Sequence, residues 1–153
     1  MAIPDCDALG FLPPGFHDCT LAEAAERFCY TEHRQRLFDA LLRWLAGWRN
    51  AGLAPPIYID GGFVTVKTAP PKDIDVVADI RALDLRDRAV CAAVARQLDH
   101  GAVLAEYGIE AFAYHPLLVQ NDFRLWFAYV KPQQRAALNL AEHFRKGLLR
   151  VQP

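Results

Sequence analysis

The chain has 153 residues and no serine, one methionine, and four cysteines, Cys6, Cys19, Cys29 and Cys91. The missing serine removes a serine nucleophile. No cysteine has a recognisable base beside it, and none forms a Cys-x-x-Cys pair or stands at a finger-like interval from histidines, so neither a thiol nucleophile nor a zinc centre is expected. No apolar run approaches the ~20 residues that span a bilayer. The N-terminus also lacks the basic-then-apolar plan of a leader peptide, which predicts a cytoplasmic protein with reduced thiols. Charge of either sign is not in excess. Seventeen Lys and Arg against eighteen Asp and Glu give a formal charge of −1, which argues against strong general nucleic-acid binding through many phosphate contacts. Repeats and low-complexity tracts are absent as well.

What is there suffices for one core. With 53% apolar residues, the chain is expected to fold as a single α+β domain over 1–153, a small mixed β-sheet flanked by helices. Three parts are expected: an N-terminal arm and helices over 1–50, core strands over 57–115, and C-terminal helices with a last strand over 120–153. The Pro/Gly-rich opening to about His17 reads as an ordered arm. Thr20-Leu21-Ala22-Glu23 is a capping box that starts a helix, and Thr31 caps a second that runs to about Asn50. That helix carries Leu37, Phe38, Leu41, Leu42, Trp44, Leu45 and Trp48 as a broad apolar stripe. Core packing is the first reading of Trp44 and Trp48, a dimer or partner surface the second. Gly52 ends the helix, and Pro55-Pro56 lead into a strand, Ile57 to Asp60. A helix follows over Asp87 to Leu98, then a strand at Ile109-Glu110-Ala111-Phe112 that His115-Pro116 closes. Asn121 or Asp122 caps a helix with Phe123, Trp126, Phe127 and Val130 as its apolar face. A further helix is expected from Pro132 to about Phe144, and a strand over Leu148 to Val151.

Chemistry concentrates in the middle. Asp60-Gly61-Gly62-Phe63-Val64-Thr65 is followed, ten residues after the glycine pair, by Asp73-Ile74-Asp75-Val76. Side chains alternate along a strand, so Asp73 and Asp75 share one face while Ile74 and Val76 point to the other. Two carboxylates on one face suit magnesium, which takes hard oxygen ligands from one or two carboxylates, water and phosphate. Gly61-Gly62 lets the backbone turn sharply and approach phosphate oxygens, with Thr65 and Lys67 as donors. Lys72 stands beside Asp73, and the prolines of Thr68-Ala69-Pro70-Pro71-Lys72 fix the approach to the strand. Asp79 continues the alternation beyond reach of the site, as a strand-end cap. The plainer reading of the same residues is a loop and the solvated face of an edge strand.

A small-residue turn, a short excursion and two strand carboxylates together resemble the nucleotidyltransferase superfamily built like DNA polymerase β. Such proteins carry a third acid on a later strand beyond a helix, which the resemblance places at Glu110 as third metal ligand or as base. It implies Mg²⁺ or Mn²⁺ at Asp73, Asp75 and Glu110, and a nucleoside triphosphate held by Gly61, Gly62, Thr65 and Lys67. Leu12-Pro13-Pro14-Gly15-Phe16-His17, Ala25-Glu26-Arg27-Phe28, Tyr58 through Lys67 and Lys146-Gly147-Leu148-Leu149 also resemble a family of small bacterial and phage proteins of this fold. That family usually has a serine where this chain has Gly62.

The expected activity is transfer of a nucleoside monophosphate from an NTP to a hydroxyl of a protein, RNA or small molecule, within a toxin–antitoxin or defence system. The alternative is a silent protein of the same fold that acts as a partner-binding regulator or antitoxin; the expected partner is another protein or a second copy of the chain. Phe63 and Phe112 are candidates to line a base pocket. His17, His33, His100, His115 and His143 stand in no catalytic constellation, His115 being the nearest to Glu110.

Overall fold

Two threonines set the first two helices. The computed structural model describes residues 2–67 and 69–153, so Thr68, part of the proline-rich approach, lies outside the described residues. Thr20 accepts the Glu23 amide while Glu23 reaches back to the Thr20 amide, which starts α1 (Leu21–Phe28). Thr31 accepts the Arg34 amide and starts α2 (Glu32–Asn50). Gly52, at φ +72°, turns the chain out of α2.

The chain then alternates. After β1 (Phe16–Asp18) and the two helices come β2 (Ile57–Asp60), a single 3-10 turn at Gly62–Val64, β3 (Ile74–Asp79), α3 (Arg88–Gln97), α4 (His100–Tyr107) and β4 (Ile109–Tyr114). The C-terminal part adds α5 (Phe123–Ala128), α6 (Pro132–Ala137) and β5 (Leu148–Val151). The strands form one mixed sheet in the order β1-β5-β2-β3-β4. The outer pairs β1/β5 and β3/β4 are parallel, and β2 runs antiparallel to both β5 and β3. An α+β fold follows, as the sequence predicts.

One face of this sheet builds the main core. Ile57 and Ile59 of β2, Ile74, Val76 and Ala78 of β3, Ile109 and Ala111 of β4 and Leu149 and Val151 of β5 pack against Phe38, Leu41, Trp44, Leu45 and Trp48 of α2. Both tryptophans are fully buried, and Trp44 donates Nε1–H to the Gln97 carbonyl at 3.0 Å. The alternative surface role of these tryptophans therefore has no exposed side chain behind it. The opposite face carries Tyr58, Val77 and Leu148 under Phe112, Phe123 and Phe127, so α5 covers it in part. No helix among the described residues is long and apolar enough to cross a membrane.

Three expectations need correction. The opening is more than an arm: Phe16–Asp18 is the edge strand β1, paired in parallel with β5. A helix the pattern did not announce, α4, starts at the Asp99 cap and stops at Gly108 in the left-handed region. The helix expected from Pro132 to about Phe144 ends at Ala137 instead. Asn139 takes φ +52°, and the Leu140 amide bonds back to the Arg135 carbonyl, a left-handed termination that stops the helix there.

Candidate active site

Strand register brings the acids together. Asp60 is the cross-strand partner of Asp75 in β2/β3, and Asp75 is the partner of Glu110 in β3/β4. Residues directly opposite one another project from the same face, so three carboxylates form a row across three strands. All lie at the end of the sheet where β2 finishes and β3 and β4 begin. Asp73 stands one residue before β3 and joins them in lining a cleft of about 560 Å³. The residues between them, Ile74 and Val76, point into the main core as expected.

The two glycines beside this row differ in what they are needed for. Gly61 has φ +82°, and a Cβ there would overlap the Asp75 carboxylate oxygen Oδ2, so only glycine leaves that carboxylate its place. At Gly62 a Cβ would meet nothing nearer than Pro71 Cβ at 3.4 Å, so the serine of the resembling family would fit.

Burial, with like charges nearby in two cases, raises the pKa of three of these carboxyl groups. Asp75 is pushed up to about 7, by burial first, then by its hydrogen bond with Glu110 and the charges of Asp73, Asp60 and Glu110. Burial also raises Asp73, with Glu110 adding to the shift while Lys131 and Lys72 oppose it. Asp60 is 2% exposed and is raised by burial against the pull of Lys146. Lys146 Nζ stands 3.3 Å from Asp60 Oδ2, an ion-pair contact without hydrogen-bond geometry, since Oδ2 has no hydrogen-bond partner.

Opposite the row the cleft changes character. Its walls are Phe112, Phe123, Trp126, Phe127 and Tyr129, and Lys72, Lys131, Lys146 and Gln134 supply the polar groups. Phe112 packs on Phe123 with ring centroids 4.6 Å apart and on Phe127 at 5.3 Å. Trp126 is 67% exposed, although its spacing with Phe123 and Phe127 had suggested a buried face.

The cleft thus unites Gly61, Gly62, Asp73, Asp75 and Glu110, but not the whole expected set. Thr65 is buried and donates its hydroxyl to the Gly62 carbonyl at 2.6 Å. Lys67 places its ammonium 4.0 Å from the centroid of the Phe11 ring. Neither lines the cleft. The 3-10 turn after Gly61 swings both toward the N-terminal arm, and the cations that line the cleft are Lys72, Lys131 and Lys146. Of the two aromatic candidates, Phe112 is in the cleft and Phe63 is core, stacked on Phe38. Asp79 is a strand-end group, accepting the Arg81 amide and pairing with its guanidinium at 2.6 Å. His115 Nδ1 accepts the Leu117 amide in a turn.

Lys131, Lys146, Gln134, Trp126 and Tyr129 escaped the sequence reading as site residues, since no local pattern links them to the acids. Asp60 was visible in the motif, but its part in the row needs the β2/β3 register.

The donor set can be tested against a metal. Among the described residues no group of three or more His, Cys, Asp or Glu side chains is arranged to hold an ion as it stands, and Asp75 and Glu110 hydrogen-bond to each other. Hard carboxylate oxygens crowded by like charges nevertheless fit a hard divalent cation whose shell is completed by water and phosphate. They do not form a closed protein cage.

The chain belongs to the family described as a family of unknown function (DUF6932), whose family model matches residues 4–152. No curated protein and no solved structure gives a match.

Proposed function

We propose that this chain is a metal-dependent nucleotidyltransferase, moving a nucleoside monophosphate from an NTP to an acceptor hydroxyl. The observation that carries this reading is the carboxylate row beside Gly61-Gly62, at the foot of a cleft whose other walls are aromatic and cationic. Mg²⁺ or Mn²⁺ would be held by Asp73 and Asp75, and would supply charge neutralisation of the triphosphate and acidification of the attacking hydroxyl.

The chain's own residues do the rest. Lys72, Lys131 and Lys146 offset phosphate charge, and the backbone at Gly61-Gly62 admits the phosphates closely because no Cβ intervenes. Phe112, Phe123 and Trp126 offer faces on which a base stacks, with Gln134 in reach of its edge. The acceptor oxygen forms a bond to the α-phosphorus, the bond to the pyrophosphate oxygen breaks, and the hydroxyl proton passes to Glu110, acting as base rather than as third ligand.

A second reading is a partner-binding regulator without turnover, such as an antitoxin. It is favoured by exposed apolar side chains, Leu117, Leu118, Leu125 and Trp126. The two are separated by incubating the protein with each α-labelled NTP, Mg²⁺ or Mn²⁺ and an extract of its source cells, beside the Asp73→Ala/Asp75→Ala variant. Label transferred by the wild type alone supports the enzyme. No transfer together with no NTP binding leaves the regulator.

A further inference from the structure

We propose that Arg34 is a positioning residue of this cleft, holding the Gly62–Thr65 turn as a seat for a polyphosphate anion. The inference rests on the nucleotidyl-transfer reading and names the part of the nucleotide that the turn receives.

Arg34 belongs to the first turn of α2 and is 1% exposed. Its guanidinium donates to four carbonyls: Phe63 at 2.6 Å, Thr65 at 2.9 Å, Gly62 at 3.1 Å and Phe28 at 3.3 Å. It also lies 4.4 Å from the centre of the Tyr30 ring and 5.5 Å from that of Phe63. Every hydrogen-bond acceptor is a neutral peptide oxygen. Among the described residues no carboxylate pairs with it, although buried charges are ordinarily paired. The four carbonyls satisfy its donors, and the Tyr30 and Phe63 rings offset part of its charge, which no anion among the described residues neutralises.

Its placement gives that charge a purpose. Gly62 lines the cleft while its carbonyl accepts from Arg34, so one residue separates the buried cation from the cleft surface. Neighbours on the same segment fix the rest of the excursion between β2 and β3. Tyr30 donates its hydroxyl to the carbonyls of Thr65 and Lys67, and His33 Nε2 bonds the Pro71 carbonyl at 2.6 Å. The stretch from Tyr30 to Arg34 therefore holds both rims of the turn. A lysine would keep the charge but could not present a planar fork to several carbonyls at once. The counter-charge that completes this arrangement is a phosphate chain resting on the turn.

The test uses purified full-length protein and two calorimetric probes in Mg²⁺: inorganic tripolyphosphate, which has no base, and adenosine, guanosine, cytidine and uridine, which have no phosphate. Arg34→Met is expected to bind tripolyphosphate roughly tenfold or more weakly, as loss of a charge at a phosphate site should cause. Arg34→Lys should recover part of the loss, and nucleoside binding should be unchanged. In steady-state transfer the KM for NTP should rise while kcat changes little. A folded Arg34→Met that binds tripolyphosphate as the wild type does overturns the proposal. Should that variant fail to fold, Tyr30→Phe removes only the hydroxyl at the rim and is expected to weaken tripolyphosphate binding; unchanged binding again overturns the positioning role. Wild type that binds a nucleoside but not tripolyphosphate refutes the anion seat alone. Wild type that binds neither, and no NTP, refutes the transferase reading along with it.

Discussion

Replacing Asp75 by asparagine should stabilise the metal-free protein at neutral pH and abolish its activity. In the folded chain Asp75 titrates near 7, raised by burial, by Glu110 and by the charges around it, against about 3.9 for an unfolded aspartate. The folded state therefore keeps a proton that the unfolded state has released. By linkage, unfolding free energy contributed by this group falls as pH rises from about 4 to about 7 and is flat above. Three units at about 1.36 kcal/mol each set a ceiling near 4 kcal/mol. Asp75 shares its proton with Glu110 and faces an open cleft, which reduces the expected effect to about 1–2 kcal/mol. An asparagine keeps the shape, and its amide can still donate to Glu110. Thermal unfolding in chelator should therefore give Asp75→Asn a Tm higher by roughly 2–8 °C at pH 8, with the two proteins converging at pH 4. Added Mg²⁺ should raise the Tm of the parent at pH 8 and not that of the variant. A difference curve that is flat from pH 4 to 8, or of opposite sign, refutes the account of a strained carboxylate row.

Gly61→Ala places a Cβ on the Asp75 oxygen at a φ of +82° and should cost about 2–4 kcal/mol in denaturant unfolding, with loss of transfer. Gly62→Ala should stay within about 1 kcal/mol of the parent, and equal costs at the two positions would count against the geometry of the turn. Trp126→Ala should leave stability within about 0.5 kcal/mol, because the ring is exposed, while NTP affinity falls about tenfold through lost stacking. Unchanged affinity would take Trp126 out of the site. Trp44→Ala empties a fully buried position and removes the bond to Gln97, so equilibrium unfolding should show a loss of about 3–5 kcal/mol; a loss below 1 kcal/mol would contradict its place in the core.

Local rules made α2 and β2 legible to the residue. A threonine cap, a broad apolar stripe and a glycine stop delimit the first, and Pro55-Pro56 with an acid at the far end delimit the second. The period-2 alternation around Asp73 and Asp75 was equally local, which is why that pair stood out, whereas Glu110 came from the resemblance. What escaped depends on distant partners or on turn direction. Strand β1 has three residues and exists through parallel pairing with β5, 132 positions away at Asp18 and Arg150. Helix α6 reads as long because its residues favour helix, until Asn139 takes a left-handed conformation. Thr65 and Lys67 were expected at the phosphates because they follow the glycines directly. Their actual direction is set by Arg34 and Tyr30, which lie about thirty residues earlier and gather the carbonyls of the turn.

Two imbalances of opposite sign lie side by side in this fold. Asp60, Asp75 and Glu110 crowd together with one lysine contact at Asp60; burial raises the pKa of Asp60 and, with the neighbouring acids, that of Asp75, so the metal-free row loses stability as pH rises toward neutral. Arg34 sits beneath the adjoining turn with carbonyls and the Tyr30 and Phe63 rings for partners. Neither group is the hydrogen-bond partner of the other, and within the row only Asp60 has an ion-pair contact among the described residues, with Lys146. Purely structural side chains at these places would gain from being neutral, since burying unpaired charge has a cost that packing does not return. A ligand of one sign relieves one imbalance and aggravates the other. A divalent cation bound to a polyphosphate carries both charges at bonding distance from each other, and it is the class of ligand for which this pair of neighbours makes physical sense.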